Sequence, residues 1–499
     1  MKFRSSAGVS GSVLIVAALL MFAATGVAAP STRPRSGGTL RVELRERVDT
    51  LDPRVRPAES QIAHAQEMLD ALLFDRLLRL DDRGKPVPAL AIAWESQDEN
   101  KQWRFQLRPG VQFSDGTPLT SNIAVAALTV DLALEFGGAA HVSAAGDWLT
   151  IESDMAMPEL PQQLAVGRNF IFRAAPDGTL AGTGPFDLEH LDLHASPAQA
   201  VFAGNANCWA GRPFVDRVQI SLGVESPRIE ADLEFGLADA GELAPAEMRQ
   251  AAERGVRTWS SEPMDLFALA FDSGRPAAQD QNLREAIAAA IDRAAIANVV
   301  LQRQAVPAGA LLPDWISGYA FLFPAGPASP APNSATTVVK PAAPLVLVYD
   351  SEDEEARAVA ERVIVDLRAA GIPADAVEKT ASAPPADMFL ARIAVAQPDA
   401  PAALDFVLSA LPAAAPSAGR VSDSDPESLY AAERAALADF RIVPLAHATE
   451  NWGLGATLRD WMPQRWGDLR LDDVWLDLAP GASAPAGGNG ATGGAENPQ

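Results

Sequence analysis

Residues 107–120 read LRPGVQFSDGTPLT, and the local order of this stretch follows from its residue types. Leading into it, Trp103, Phe105 and Leu107 alternate with Arg104, Gln106 and Arg108, the period-2 pattern of a half-buried strand. Pro109-Gly110 ends that strand. Val111 and Phe113 resume the alternation, and the turn formers from Ser114 to Pro118 close the segment as a strand pair with a tight turn.

Working outward, residues 123–134 are Ala-rich and apolar at helical spacing, which predicts a helix behind the turn. Residues 148–152 and 217–222 read as strands. The 266–272 stretch, LFALAFD, reads as a strand, and residues 284–301 as one long helix with Ile287, Ala290, Ile291 and Ala294 on one stripe. Residues 345–349 (LVLVY) form a further strand, and 352–370 a helix that Gly371 caps. Residues 324–344 are Pro/Ala-rich with little periodicity and read as an extended surface loop, and the Gly/Ala-rich stretch at 481–499 as a disordered tail.

Composition narrows the function classes. A chain of 499 residues with 48% hydrophobic content can bury the cores of two or more domains. Its formal charge of -24 argues against nucleic acid and anionic lipid as partners, because both need a basic surface. Such acidity keeps a soluble protein monomeric. Lys2 and Arg4, the apolar run at 13–24 and the small residues at 26–29 read as an export signal cut after Ala28. No Cys lies near this cut, so a lipid anchor is not expected. Cys208, the single cysteine of the chain, cannot form an internal disulfide and reads as a buried packing residue.

No Gly-x-Ser-x-Gly elbow, phosphate-binding loop, paired Cys or His-Glu-x-x-His occurs, so the sequence offers no catalytic constellation and no resident cofactor. His190 and His194 lie four apart, but on a strand-like segment their side chains stand roughly 13 Å from each other, too far to share a metal.

The 107–120 stretch resembles the signature of the family 5 extracytoplasmic solute-binding proteins, the peptide, dipeptide and nickel receptors of ABC importers, whose members read "LRxGVxFxDGTPLTAxDV" here. Other stretches match in order: Gly37 to Val42 with Thr50-Leu51-Asp52-Pro53, then Leu72 to Leu78, Pro88 to Ala91 with Trp94-Glu95, Gly182-Thr183-Gly184-Pro185-Phe186, and Leu283 to Arg293. The resemblance runs from about Gly37 to Leu478. It implies an α/β, two-lobed periplasmic-binding-protein-like fold of type II, with mixed sheets joined by a hinge. On that template the expected division is a signal peptide at 1–28, lobe I at 37–265 with a reduced small subdomain, lobe II at 266–445 and a return to lobe I at 446–480.

The same resemblance implies a periplasmic, non-enzymatic receptor that holds an oligopeptide or dipeptide between its lobes and delivers it to ABC permease subunits in the inner membrane. The ligand residues it implies are Arg47, Val48 and Asp49, beside the Thr50 to Pro53 turn, and Asp399, which matches part of a "DYxDP" motif whose Asp holds the ligand's ammonium. Gln397-Pro398-Asp399-Ala400-Pro401 lacks the Tyr. His447 and Trp452 follow the returning strand and are candidates for the cleft. As residues alone, Arg47 and Asp49 read equally as a solvated loop and Trp452 as core. The departures at 324–344 and around Asp399 also fit a degenerate receptor that acts as a periplasmic sensor, chaperone or interaction protein without transport.

Overall fold

The Asp265–Phe271 strand, DLFALAF, is buried along its whole length. Phe267, Leu269 and Phe271 face one hydrophobic cluster with Leu347, Val359 and Val363, while Leu266, Ala268 and Ala270 face another with Ile393, Leu404 and Val407. A strand covered on both faces must be apolar at every position, which is why this run lacks the alternation of a half-exposed strand. The computed structural model describes residues 34–55, 57, 60–81, 83–135, 140–326, 341, 343–395, 397, 399–411, 425–461 and 469–478. The expected export signal, most of the Pro/Ala-rich stretch and the expected tail fall outside the described residues.

Around this strand a six-stranded sheet runs in the order Ala305–Pro307, Ile442–Ala448, Asp265–Phe271, Met388–Ala394, Leu345–Tyr349, Ala374–Glu378. Leu345–Tyr349 is parallel to both its neighbours, and the remaining pairs are antiparallel. A second, seven-stranded sheet has Thr39–Glu43 parallel to Arg217–Leu222 and to Ala240–Glu242, with antiparallel strands outside them. These two mixed sheets are the cores of two lobes. The expected α/β two-lobed architecture is the one found.

Among the described residues the chain crosses between the sheets twice, after Arg257–Ser260 and after Ile442–Ala448, and the two crossings stay side by side. Ser261 N donates to Glu450 O at 2.9 Å, and Met264 N to Ala448 O at 2.9 Å. The second-lobe strand therefore extends to Ala448, three residues beyond the boundary expected from the sequence.

A four-stranded sheet, in the order Ala91–Gln97, Gln102–Leu107, Trp148–Ser153, Ala140–Ala145, packs with the Ser121–Glu135 helix around its own cluster. Trp103, Phe105 and Leu107 point inward as their alternation predicts. After them, Phe113 N donates to Thr117 O at 2.8 Å and Gly116, at φ +80°, makes the tight turn. Between this sheet and Phe186, the chain forms a four-residue helix and three two-residue strands.

Two of the motif turns meet at one helix end. Gly182 and Gly184 pass so close to the end of the Ser60–Leu73 helix that a Cβ on Gly182 would lie 1.8 Å from the Leu73 carbonyl oxygen, and one on Gly184 2.6 Å from its carbon. The approach lets Gly184 N donate to that otherwise unpaired carbonyl at 3.0 Å, while Ser114 N donates to Gly182 O at 2.9 Å. Thr183 Oγ1 and Trp209 Nε1 both donate to Asp75, at 3.0 and 2.7 Å.

Two sequence expectations need correction. The helix expected over 284–301 is broken: Gln281–Ala290 ends at Ile291, which is extended, and Asp292 caps a new turn by accepting from Ala295 N. A short acidic side chain competes for the backbone there, and apolar periodicity does not register it. Cys208 is half-buried in the turn after Asn205 rather than in the core, with burial raising its thiol pKa.

Because side chains do not fit at the double-glycine contact, Gly182→Ala should cost about 3 kcal/mol. Urea unfolding of the two proteins checks this; an unchanged midpoint would show that the contact is slack.

Candidate functional site

The C-terminal end of the Thr39–Glu43 strand carries Leu44, Arg45 and Glu46 toward the gap between the lobes. The Ser60–Leu73 helix adds Gln61, His64 and Met68 from the same lobe, Ala240–Glu242 adds Glu242, and Asn451–Leu454 adds Trp452. From the second lobe come Asp265, the first residue of its central strand, and Arg392, with Glu450 contributed by the crossing segment. All of these except Arg45, which lines a neighbouring cleft, wall a small cavity of about 20 Å³.

Arg392 organises it. Its Nη2 lies 2.7 Å from Asp265 Oδ2, and its Nη1 3.0 Å from Glu355 Oε2 and 3.4 Å from Asp353 Oδ2. The guanidinium also stands 5.4 Å from the Phe267 ring centroid. Asp353 caps the Glu354–Ala369 helix, and Glu355 is in that helix's first turn, where a carboxylate is favoured by the exposed N–H groups. Arg45 then reaches across from the first lobe to Glu355 Oε1 at 2.7 Å, and its backbone N donates to Glu242 Oε2 at 3.1 Å. On the hinge side His64 Nε2 and Glu450 Oε1 are 2.7 Å apart.

The charges do not balance. Six carboxylates, Glu46, Glu242, Asp265, Asp353, Glu355 and Glu450, share two guanidiniums and one imidazole. Burial pushes Glu355 up, but Arg45 and Arg392 outweigh it and hold the carboxyl down at about 2. At Glu46 the same guanidiniums are outweighed: burial, reinforced by Glu242, pushes it up to about 7. Burial also raises Asp265 and Glu242 against the pull of the guanidiniums. For His64, burial is outweighed by Glu450, and its pKa rises to about 9.

Among the described residues, three polar atoms on the cavity wall have no hydrogen-bond partner: Asp265 Oδ1, Trp452 Nε1 and Gln61 Nε2. Asp265 is 1% exposed and Trp452 2%. A somewhat larger space, about 50 Å³, lies beside Asp75, Arg76, Arg79, Arg470 and Asp472, but those groups already pair with one another or with neighbouring groups. It reads as a packing defect between the first lobe and the small sheet.

Of the residues singled out from the sequence, Trp452 lines the interlobe cavity, with its ring also 5.1 Å from Trp461. Arg47 and Asp49 are exposed, Arg47 lying over Gly223, and Val48 is in the first-lobe core. The cavity is reached instead by Glu46, one residue before Arg47; Arg45, two residues before it, lines the neighbouring cleft. Asp399 caps the Ala400–Ala410 helix by accepting from Ala402 N and is not on the cavity wall; burial, with Glu159 adding to it, raises it to about 6. His447 turns into the second lobe, where Nε2 meets Leu311 O at 3.0 Å and burial lowers its pKa to about 4. His190 lies on the Phe186–Asp192 strand and His194 beyond its end.

Sequence reasoning missed Glu46, His64, Asp265, Arg392 and Glu450. The usable signal was a lone charge inside an apolar strand: Arg392 in MFLARIA and Asp265 at the head of DLFALAF. Such charges are retained only with partners.

The raised Glu46 pKa carries a stability sign. Between about 4.5 and about 7 the folded chain binds more protons than the unfolded one, so stability falls as pH rises through that window. Glu46→Gln should therefore melt at the same temperature as the parent at pH 5 and higher at pH 8. A difference that does not change with pH would contradict the assignment.

Comparison with known proteins places this geometry. The family model "Bacterial extracellular solute-binding proteins, family 5 Middle" matches residues 85–413. The nickel-binding periplasmic protein of Escherichia coli (strain K12) is 24% identical over 257 residues, covering 46% of this chain and 48% of that protein. A probable peptide ABC transporter periplasmic-binding protein of Sinorhizobium fredii is 29% identical over 241 residues, 43% of each chain. The chain spans about half the length, or less, of the curated relatives it matches. Among solved structures, NikA from Brucella suis in complex with Fe(III)-EDTA superposes with a TM-score of 0.74 at 18% identity, covering 88% of this chain and all of that one. The murein tripeptide binding protein MppA of Escherichia coli gives 0.71 at 16% identity, over 89% and 99%. With two lobes, a cavity between them and a family match to about two thirds of its length, the chain belongs to the family 5 bacterial extracellular solute-binding proteins.

Proposed function

We propose that this protein is the periplasmic receptor of an ABC importer, which captures an oligopeptide or dipeptide between its lobes as a monomer and hands it to a membrane permease without catalysing a reaction. The observation that carries the reading is the interlobe cavity, walled by both lobes and lined by buried polar atoms without partners. A solute that contacts both walls favours the closed arrangement in proportion to those contacts, and two adjacent crossing segments are where the hinge bends. Relatives named for nickel, peptide and murein-peptide binding support a small solute.

One observation favours a second reading, a family member that serves as a periplasmic sensor, chaperone or interaction protein without transport. Arg45 and Glu355 tie the lobes directly, so closure does not rest on solute contacts alone.

Native mass spectrometry of the mature protein purified from periplasm without refolding separates the two. Transport of peptides predicts a stoichiometric peptide released on denaturation. A different solute would keep the importer and replace the ligand; protein that carries nothing and retains nothing from peptide and sugar panels would overturn the transport reading.

A further inference from the structure

We propose that closing the two lobes takes up protons on the carboxylates that meet across the interlobe cavity, Glu46 foremost, so that acid draws the lobes together and alkali loosens them. Such coupling belongs to the lobes themselves and does not depend on which solute they carry.

Each lobe presents a surplus of negative charge to the other. The first brings Glu46 and Glu242 with one guanidinium, Arg45; the second brings Asp265, Asp353 and Glu355 with one, Arg392. At the hinge His64 and Glu450 answer one another at 2.7 Å. At the rim Glu247 accepts from Ser226 Oγ at 3.1 Å and adds a further carboxylate near Arg45 and Glu355. The Arg45–Glu355 tie between the lobes is therefore set against like charges, since Glu46 meets Asp353 of the other lobe as well as Glu242 of its own.

A surplus of this kind needs a counterion, and the space admits only the smallest. The cavity, about 20 Å³, holds about one water. A hydrated metal ion or an organic cation does not fit, and a bare ion would stand without its water shell beside the Arg392 guanidinium. A proton needs no space and turns a carboxylate into a donor. Asp265 Oδ1, without a partner among the described residues, is an acceptor on the same wall.

Burial and Glu242 raise Glu46 to about 7 from an ordinary 4.5, and burial raises Glu242, Asp265 and Asp353 in the same direction. Opening returns Glu46 and Glu242 to water, so the closed form binds more protons than the open one across that window. Closure is favoured below it and weakened as pH rises through it. His64, where Glu450 outweighs burial and the pKa rises to about 9, acts in the same sense at higher pH. Glu355, where Arg45 and Arg392 outweigh burial and hold it at about 2, acts in the opposite sense only in stronger acid.

Electron–electron distances between nitroxides on Arg249→Cys and Val365→Cys, in a Cys208→Ser background, read the opening. They are taken at pH 5 and pH 8 in Arg45→Met, where loss of the tie populates both closed and open forms. The ratio of closed to open should fall at least about tenfold between the two, because one proton taken up changes it by up to about tenfold per pH unit. Adding Glu46→Gln, which is uncharged at both, should keep the pH 5 distribution at pH 8. The shift should be the same in sodium and in tetramethylammonium salts of equal ionic strength. A distribution that does not move with pH would overturn the proposal, as would an undiminished shift with Glu46→Gln. A shift that follows the cation rather than pH would overturn it in favour of a bound ion.

Discussion

A guanidinium buried in the middle of an apolar strand is the constraint around which this molecule is arranged. Arg392 cannot lie between Phe267 and the second-lobe core without anions, and it takes them from three places: the start of the central strand, a helix cap and that helix's first turn. Removing one partner of such a set is costly, on the order of 3–5 kcal/mol, because the remaining charge is stranded. Glu355 also receives Arg45 from the other lobe, so the network that solves a folding problem in one lobe becomes the contact that joins two. The excess of carboxylate around it is what gives the cavity its electrostatic character.

The family-like motifs lie elsewhere and do other work. The Asp115-Gly116 turn, the Gly182-Thr183-Gly184 turn and Asp75 converge on the end of the Ser60–Leu73 helix, where backbone approaches backbone and only glycine fits. They fasten the small sheet to the first lobe and touch no residue of the cavity wall except through that helix. The recognisable residues hold the scaffold, whereas those that wall the cavity lie outside the motifs.

For the same reason the fold was legible in the sequence and the site largely was not. Strands at Trp148–Ser153, Arg217–Leu222 and Leu345–Tyr349 and the Ser121–Glu135 and Glu354–Ala369 helices follow from local periodicity and capping, which the chain carries within a dozen residues. The break at Ile291-Asp292 was missed because one capping side chain overrode an apolar stripe. The cavity brings together Glu46, His64, Asp265, Arg392 and Glu450, which are spread along the chain from residue 46 to residue 450, and no spacing rule links them. Trp452 was reachable because it follows directly from the returning strand. Asp399 was drawn in by motif likeness, but its carboxylate is spent on a helix N-terminus.

The central claim is that charge pairs centred on Arg392 and Arg45 hold the two lobes around the cavity. It is tested most directly by an electron–electron distance measurement between nitroxides on Arg249→Cys in the first lobe and Val365→Cys in the second, both exposed, in a Cys208→Ser background. Adding Arg45→Met, which keeps the stem and removes the charge, should lengthen and broaden the distance distribution. An unchanged distribution would contradict the claim and place the grip between the lobes in the crossing segments alone.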